Sequence, residues 1–468
     1  MMIYLSIVLT LLSVAILCWM LAKKMDIKII LFAIGLILLY CGLMMGNTIK
    51  TIQPVSNILL KPIEVMIEQF TTTLSGSGFV ILLLAGYSSY MSYIGANDIT
   101  VGSLTSTMKG AKSVYLLVPI VFLLGNLLSL VVPSASNLAI ILLATLYPVL
   151  RTAGMSRLTA GAIIATSATI IPTPLGSDNV AIASAFKLST TQYVFGYHAI
   201  VSIPTLLFIA IVQYFWQKYE DKKMPEELSY NEELKQFGVS HDKKESVKVS
   251  DSKLVRFIYG LLPVLPIIVL IIAFIFDAIQ GKTMSLTVQM VTIISWIIAI
   301  IVELLNKHKA KEVLKGTNVF IKGMGNAIGI VVLLVAAQTF VQGLNAIGIM
   351  SMIQNAMTNV KGAGVILPIL MVIFTIVIVM LSGSGVALTF ALIPLFFPLA
   401  KSAGISPEQL SVPVQLAGNL MRAVSPVAAV VLIVAGTTHL DPGNIIRRTS
   451  IPMVSGVIIM LILSFMLL

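Results

Sequence analysis

The stretch VVPSASNLAIILLATLYPVLRTAGMS (131–156) has a counterpart in MLSGSGVALTFALIPLFFPLAKSAGIS (380–406). Arg151-Thr152-Ala153-Gly154-Met155-Ser156 aligns with Lys401-Ser402-Ala403-Gly404-Ile405-Ser406 at an offset of 250, which also pairs Pro148 with Pro398 and Ser134 with Ser384. Each copy opens on a tip of small polar residues and runs on as a short apolar segment, 136–150 and 385–400. About 15 helical residues rise only ~22 Å, short of a ~30 Å hydrocarbon core. Each segment therefore reads, with the apolar run before it, as a re-entrant hairpin. Beyond each hairpin lies a span interrupted by proline, IIPTPLGSDN (170–179) and NLMRAVSP (419–426), and each unit closes near an Ile-Pro, Ile203-Pro204 and Ile451-Pro452. A single short match arises by chance easily; hairpin, broken span and closing span in the same order twice do not.

The rest of the chain fits this setting. Of 468 residues, 58% are hydrophobic and 10% charged, against roughly 45–50% and about 25% in soluble domains. That excludes an ordinary soluble enzyme, a disordered chain and a nucleic-acid binder. At about 20 residues per span plus loops, the length allows ten to twelve crossings. The first apolar run, 2–21, has no basic segment before it and no small-residue cleavage site after it, so it reads as a retained helix. Cys18 and Cys41 lie in apolar runs, and the histidines (His198, His241, His308, His439) are scattered, so neither a disulfide framework nor a metal-ligand spacing is present.

The placement of charge sets an orientation. With the N-terminus outside and the two short segments treated as hairpins, 23 Lys and Arg fall on inner segments and 6 on outer ones. This is a strong positive-inside bias, and it collapses if 136–150 is a full crossing. Both termini are expected outside. The first hairpin then opens from the cytoplasm and the second from outside, so the two repeats are inverted, a construction common in secondary transporters. The expected fold is an all-α polytopic membrane protein of two inverted repeats, each with a re-entrant hairpin and a Pro-broken transmembrane helix. The expected division is N-terminal spans over 1–73, the first repeat over 74–216, a solvated cytoplasmic linker over 217–256, connecting spans and a basic loop over 257–322, and the second repeat over 323–468.

Unwound backbone at membrane depth survives only beside protein or a water-lined cavity, and half-helix N-termini there present free N–H groups to an anion. Four such elements, two tips and two breaks, define the candidate site. Arg422 is the sharpest residue, a cation in a span nearly free of charge, costing about 2.5–3.5 kcal/mol on insertion scales. Its guanidinium fork suits a carboxylate; pairing with Asp178, or snorkelling, is the structural alternative. Asn419 and Ser425 flank it, and Ser134, Ser136, Asn137, Thr173, Ser382 and Ser384 complete the expected substrate lining. Ser177, Asp178 and Asn137 are the expected coupling-ion residues, for Na⁺ or H⁺, although Ser177, Asp178 and Asn179 also suit a helix cap. Asp98 is left outside the site. His198 reads as a packed histidine before it reads as a proton relay.

YIGAND (93–98), GNLMRAVSPV (418–427) and IIRRTSIPM (445–453) resemble the anaerobic C4-dicarboxylate carriers of the DcuC type, within the superfamily that includes divalent-anion:sodium symporters. The similarity runs over nearly the whole chain and is most specific from Ser382 to Pro452. It implies a bacterial inner-membrane carrier of succinate, fumarate, malate or aspartate, working by cation symport or exchange. It also implies a homodimer whose transport domain moves as an elevator. Arg422 matches the arginine of the DcuC-type motif. Symporters of the superfamily carry Ser-Asn-Thr at both tips; here the tips read Ser136-Asn137-Leu138 and Ser384-Gly385-Val386, a departure that leaves proton coupling or exchange open beside sodium.

A carrier of another carboxylate or an amino acid on the same scaffold is the nearest alternative, and an ion channel a more distant one. Nothing in the chain reads as a nucleophile–base pair, a phosphate-cradling loop or a cofactor motif, so no enzyme activity and no cofactor are expected. The expected partners are a small dicarboxylate, the bilayer and a second copy of the chain.

Overall fold

A computed structural model describes residues 2–23, 25–106, 114–130, 132, 134–170, 172–224, 228–237, 252–280, 286–307, 310–349, 352 and 362–468. Lys109, Lys112, Lys282, Lys361, His241, His308 and the linker residues 238–250 lie outside the described residues.

Apolar runs in a bilayer must satisfy their backbone internally, and the helix is the open-ended way to do so. Among the described residues every regular element is helical, and nine helices are long and apolar enough to cross a membrane. Large apolar side chains cover the outside: Ile272, Leu370, Phe397 and Ile458 are each more than half exposed. A continuous apolar exterior is the arrangement lipid favours and water does not.

The same order of elements occurs twice. In the first unit, Val114–Leu128 leads to a tip, then to Ala135–Thr145 and Tyr147–Thr152, Arg157–Ala165, a non-helical break, Ser177–Ala185, and the run from Thr190 that ends as Ala199–Lys223. In the second, Ala363–Ser382 leads to a tip, then to Gly385–Ala403, Pro407–Met421, a break, Ala429–Thr438 and Pro442–Leu467. Serine caps recur at the sequence offset. Ser134 accepts a hydrogen bond from Asn137 N and Ser384 from Ala387 N; Ser156 accepts from Thr159 N and Ser406 from Gln409 N. An N-cap hydroxyl satisfies a donor the helix itself leaves orphaned.

Two boundaries differ from expectation. The second short segment runs from Gly385 to Ala403, 19 residues, which makes it one of the helices of spanning length. Lys401 and Ser402 extend it until Gly404, at φ +70°, ends it in the left-handed conformation that glycine tolerates best. The helix entering the linker continues unbroken to Lys223. Beyond it, the linker is buried at Glu233: a helix at Tyr230–Phe237 seats this residue, 5% exposed, against the base of the first unit, while Asn231, Glu232 and Gln236 stay exposed. Glu233 accepts from Arg151 Nε at 2.9 Å and Tyr147 OH at 2.7 Å, with Arg157 Nε at 3.6 Å. Nearby, Arg448 of the last helix pairs with Asp221 at 2.7 Å and Arg447 with Glu220 at 2.8 Å. These arginines, counted as cytoplasmic charges, are engaged in ion pairs: those of Arg151 and Arg157 fasten the linker to the first unit, and those of Arg447 and Arg448 tie the second unit to the first.

The units exchange partners. The short helix Ala135–Thr145 packs on Ala429–Thr438 of the second unit, and Gly385–Ala403 packs on Ser177–Ala185 of the first. Each half-helix that leaves a break is thus held by the other unit.

Candidate functional site

Prolines make both breaks. In the first, Pro172 and Pro174 interrupt the chain between Arg157–Ala165 and Ser177–Ala185. In the second, Pro407–Met421 tightens into a 3₁₀ turn at Arg422–Val424, and Pro426 follows before Ala429–Thr438. Proline lacks the donor a helix needs and clashes with the preceding turn, so the ladder stops there. Both outgoing half-helices start without a side-chain cap, behind Gly176 and Ala428, in contrast to the serine-capped starts.

The breaks are laced together. Arg422 Nη2 donates to the carbonyl of Ala168 in the first break. Asn419 Nδ2 donates to Asp178 Oδ2 at 3.3 Å, and Gln415 Nε2 donates to Asp178 Oδ2 at 2.8 Å and to Asn179 Oδ1 at 2.7 Å. Gln415 Oε1 in turn accepts from Tyr193 OH at 2.9 Å. Asn126, on Val114–Leu128, holds the first break from the other side: its Oδ1 accepts from the backbone N–H groups of Thr169 and Ile170 at 3.1 and 3.3 Å. Buried backbone freed by a helix break requires such partners.

The second tip presses directly on the second break. A Cβ added at Gly385 would stand 2.0 Å from the Gly418 carbonyl oxygen, and one at Gly383 (φ +74°) would stand 2.8 Å from Ala428 N. Only glycine permits that approach.

Among the residues expected at the site, Ser382, Ser384, Asn419, Arg422, Ser425 and Asp178 come together here. Several are already employed. Ser425 Oγ donates to Met380 O at 3.1 Å, and Ser384 caps its helix. Thr173 is fully buried, its hydroxyl accepting from Leu175 N and its carbonyl from Asn179 Nδ2. Asp178 lies inside the first turn of its helix rather than at the cap position, where its charge complements the helix dipole. The first tip stands apart: Ser136 is half-buried, Asn137 is exposed, and no hydrogen bond joins Asn137 to Ser177 or Asp178. Ser134 caps the short helix. Among the described residues no cluster of three His, Cys, Asp or Glu stands ready for a metal.

Arg422 answers the question its sequence position raised. Among the described residues no carboxylate lies within salt-bridge distance of it, and the Ala168 carbonyl is its one hydrogen-bond partner. Asp178 is the acid whose field reaches it. Four of the guanidinium's five N–H donors are therefore unspent. Gln415, Tyr193 and Asn126 were not anticipated; each is a lone polar residue in an apolar run, and its partner lies in a distant helix.

A family described as DcuC, C4-dicarboxylate anaerobic carrier, matches residues 2–468. The chain belongs to that family. DcuC relatives named anaerobic C4-dicarboxylate transporters include one from Escherichia coli K12, 32% identical over 92% of this chain and 90% of its own length. A probable one from Vibrio cholerae is 30% identical over 92% of this chain and 91% of its own length. Among solved structures, the Alcanivorax borkumensis YdaH transporter aligns with a TM-score of 0.61 at 15% identity, covering 94% of this chain and 97% of that one. Neisseria gonorrhoeae MtrF aligns with a TM-score of 0.57 at 16% identity, covering 93% of each chain. At those identities the likeness is one of fold. DcuC proteins are transporters rather than enzymes, and the chain is a multi-pass protein of the inner membrane.

Proposed function

We propose that the chain is a secondary carrier of C4-dicarboxylates, succinate, fumarate, malate or aspartate, with Arg422 receiving a substrate carboxylate at the crossing of the two breaks. One observation carries this reading: a guanidinium with four unspent donors stands in the second break and is joined to the first break through the Ala168 carbonyl. A cation with donors to spare favours a carboxylate. Asp178, held by Gln415 and Asn419, keeps the unloaded site near neutrality and offers a carboxylate to the ammonium of aspartate. Ser382, Ser384 and Asn419 line the same crossing, and Ser136 and Asn137 approach it from the first tip in another state of the cycle.

The paired order of elements and the charge bias support two inverted repeats with re-entrant tips, both termini outside, and a cytoplasmic linker. Alternating access then moves the tips and breaks against the flanking spans, as an elevator within a homodimer, driven by cation symport or exchange. Ser177 and Asp178 are the coupling residues of this scheme.

Counterflow of labelled succinate into liposomes preloaded with unlabelled succinate tests the assignment. Wild-type protein is expected to give saturable uptake, and Arg422→Ala to lose at least tenfold, with Arg422→Lys only partly restoring it because a point charge lacks the fork. Full uptake by a folded Arg422→Ala protein would remove Arg422 from the site. No wild-type uptake of any of the four substrates would overturn the substrate class.

A further inference from the structure

Residues 194–198 (Val-Phe-Gly-Tyr-His) form a π turn at the head of the long helix Ala199–Lys223. Such turns break the regular ladder and are frequent at functional sites. The last residue of this one, His198, is fully buried, and neither ring nitrogen has a hydrogen-bond partner. Ser202, one turn further on, is equally buried, and its hydroxyl has no partner either. Each such group has given up its bonds to water without replacement, which is destabilising. An apolar side chain would remove that cost, so packing alone gives no reason for an imidazole here.

The polar network of the site ends beside this imidazole. The Tyr193 ring centroid is 6.4 Å from that of His198; Tyr193 donates to Gln415, and Gln415 to Asp178 and Asn179. The charged and titratable groups around it come from several elements. Asp178, on the half-helix Ser177–Ala185, is linked through Gln415 to Tyr193, whose ring neighbours the imidazole. Tyr193 precedes the π turn, and Glu408, on Pro407–Met421, acts on Tyr193. Arg422, bonded to the carbonyl of Ala168, is the cation of the same crossing. The helix that follows carries no charged residue from Ala199 to Gln213.

We propose that His198 carries the proton of the transport cycle, as a positioning residue that acts on the substrate site through Asp178. The inference rests on the reading of Arg422 and Asp178 given above. In the unloaded site the charges of Arg422 and Asp178 offset one another. A bound dianion takes up Arg422 and leaves Asp178 as excess negative charge in a poorly solvated place, which is costly. A proton moving from the aqueous phase to an imidazole nitrogen offsets part of that excess, and returns to water when the dianion leaves. Binding of dianion and proton then strengthen each other by the same factor.

Two measurements on the full-length protein test this. The first adds succinate to weakly buffered purified protein with a pH indicator and records affinity for the succinate dianion between about pH 5 and 8, with the protons bound by succinate itself subtracted. Wild type is expected to take up protons on binding, and its affinity to rise as pH falls, by at most about tenfold per pH unit for one linked proton. His198→Gln is expected to bind succinate with the affinity wild type shows at high pH, without proton uptake and with a flat profile. A folded His198→Gln protein that keeps the wild-type profile overturns the proposal.

The second measurement needs no substitution of His198. Replacing His241, His308 and His439 by Gln leaves His198 as the only imidazole, visible by nitrogen NMR. Its signal is expected to titrate and to shift when Asp178→Asn is added; a signal that does neither overturns the proposal. If wild type binds no succinate, the substrate reading fails, and this second measurement decides on His198 alone.

Discussion

At the scale of single residues, the site is a balance between one unspent cation and one well-supplied carboxylate. Asp178 draws its support from Gln415 and Asn419, and Gln415 also serves Asn179 and Tyr193. Gln415→Leu removes three of these bonds while filling a similar volume. It is expected to lower thermal stability by about 1–3 kcal/mol, because it orphans buried partners, and to weaken succinate binding with it, as calorimetry and binding on the same sample would show. An unchanged melt would mean that Asp178 and Asn179 find other donors. Arg422 and Asp178 were legible in the sequence because a charge in an apolar span stands out and a proline beside it marks a break. Gln415, Tyr193 and Asn126 were not. An amide or a phenol in an apolar run carries no local pattern, and what it does is decided by the helix that folds against it.

At the scale of elements, the second tip is built by the backbone. Gly385 lies against the carbonyl of Gly418, so Gly385→Ala must push the tip away from the break. We expect a loss of at least about 1–3 kcal/mol, as for other overpacked sites, and uptake reduced more than the melt alone would explain. Gly436→Ala is the control. Nothing lies within 4 Å of its added Cβ and it sits in a helix, so it should be neutral or stabilising by about 0.5–1 kcal/mol. Equal behaviour of the two variants in thermal melts and uptake would show that the close approach does not matter. The proline breaks could be read in advance, since each leaves a local signature, but the serine caps could not: Ser134 and Ser384 read as substrate lining until the helices they start are seen. The length of Gly385–Ala403 could not, because its end depends on where Gly404 turns left-handed rather than on where hydropathy falls.

At the scale of the whole molecule, the end of the bundle that carries the linker is closed by buried ion pairs. Glu233 holds Arg151, Arg157 and Tyr147 from the linker, and Asp221 holds Arg448. Breaking a buried pair on one side costs about 3–5 kcal/mol. Glu233→Ala is therefore expected to free the linker helix, seen as faster proteolysis between residues 224 and 252 and faster amide exchange in Tyr230–Phe237. Unchanged cleavage and exchange would mean the helix is held by other contacts. The helical part of this Lys- and Glu-rich stretch was legible in its composition, whereas the burial of Glu233 was not, because it depends on arginines supplied by distant helices.

The exchange of partners between the two units also has a timetable. Ala135–Thr145 rests on Ala429–Thr438, which the ribosome reaches nearly 300 residues later. At about 5–20 residues per second, that is a wait of roughly 15–60 seconds. For that time the first tip has no floor, and the bilayer, the translocation machinery or a chaperone must hold what the second unit will later hold. A chain stopped before Ala429 therefore lacks the surface on which Ala135–Thr145 rests, however well its earlier helices have inserted.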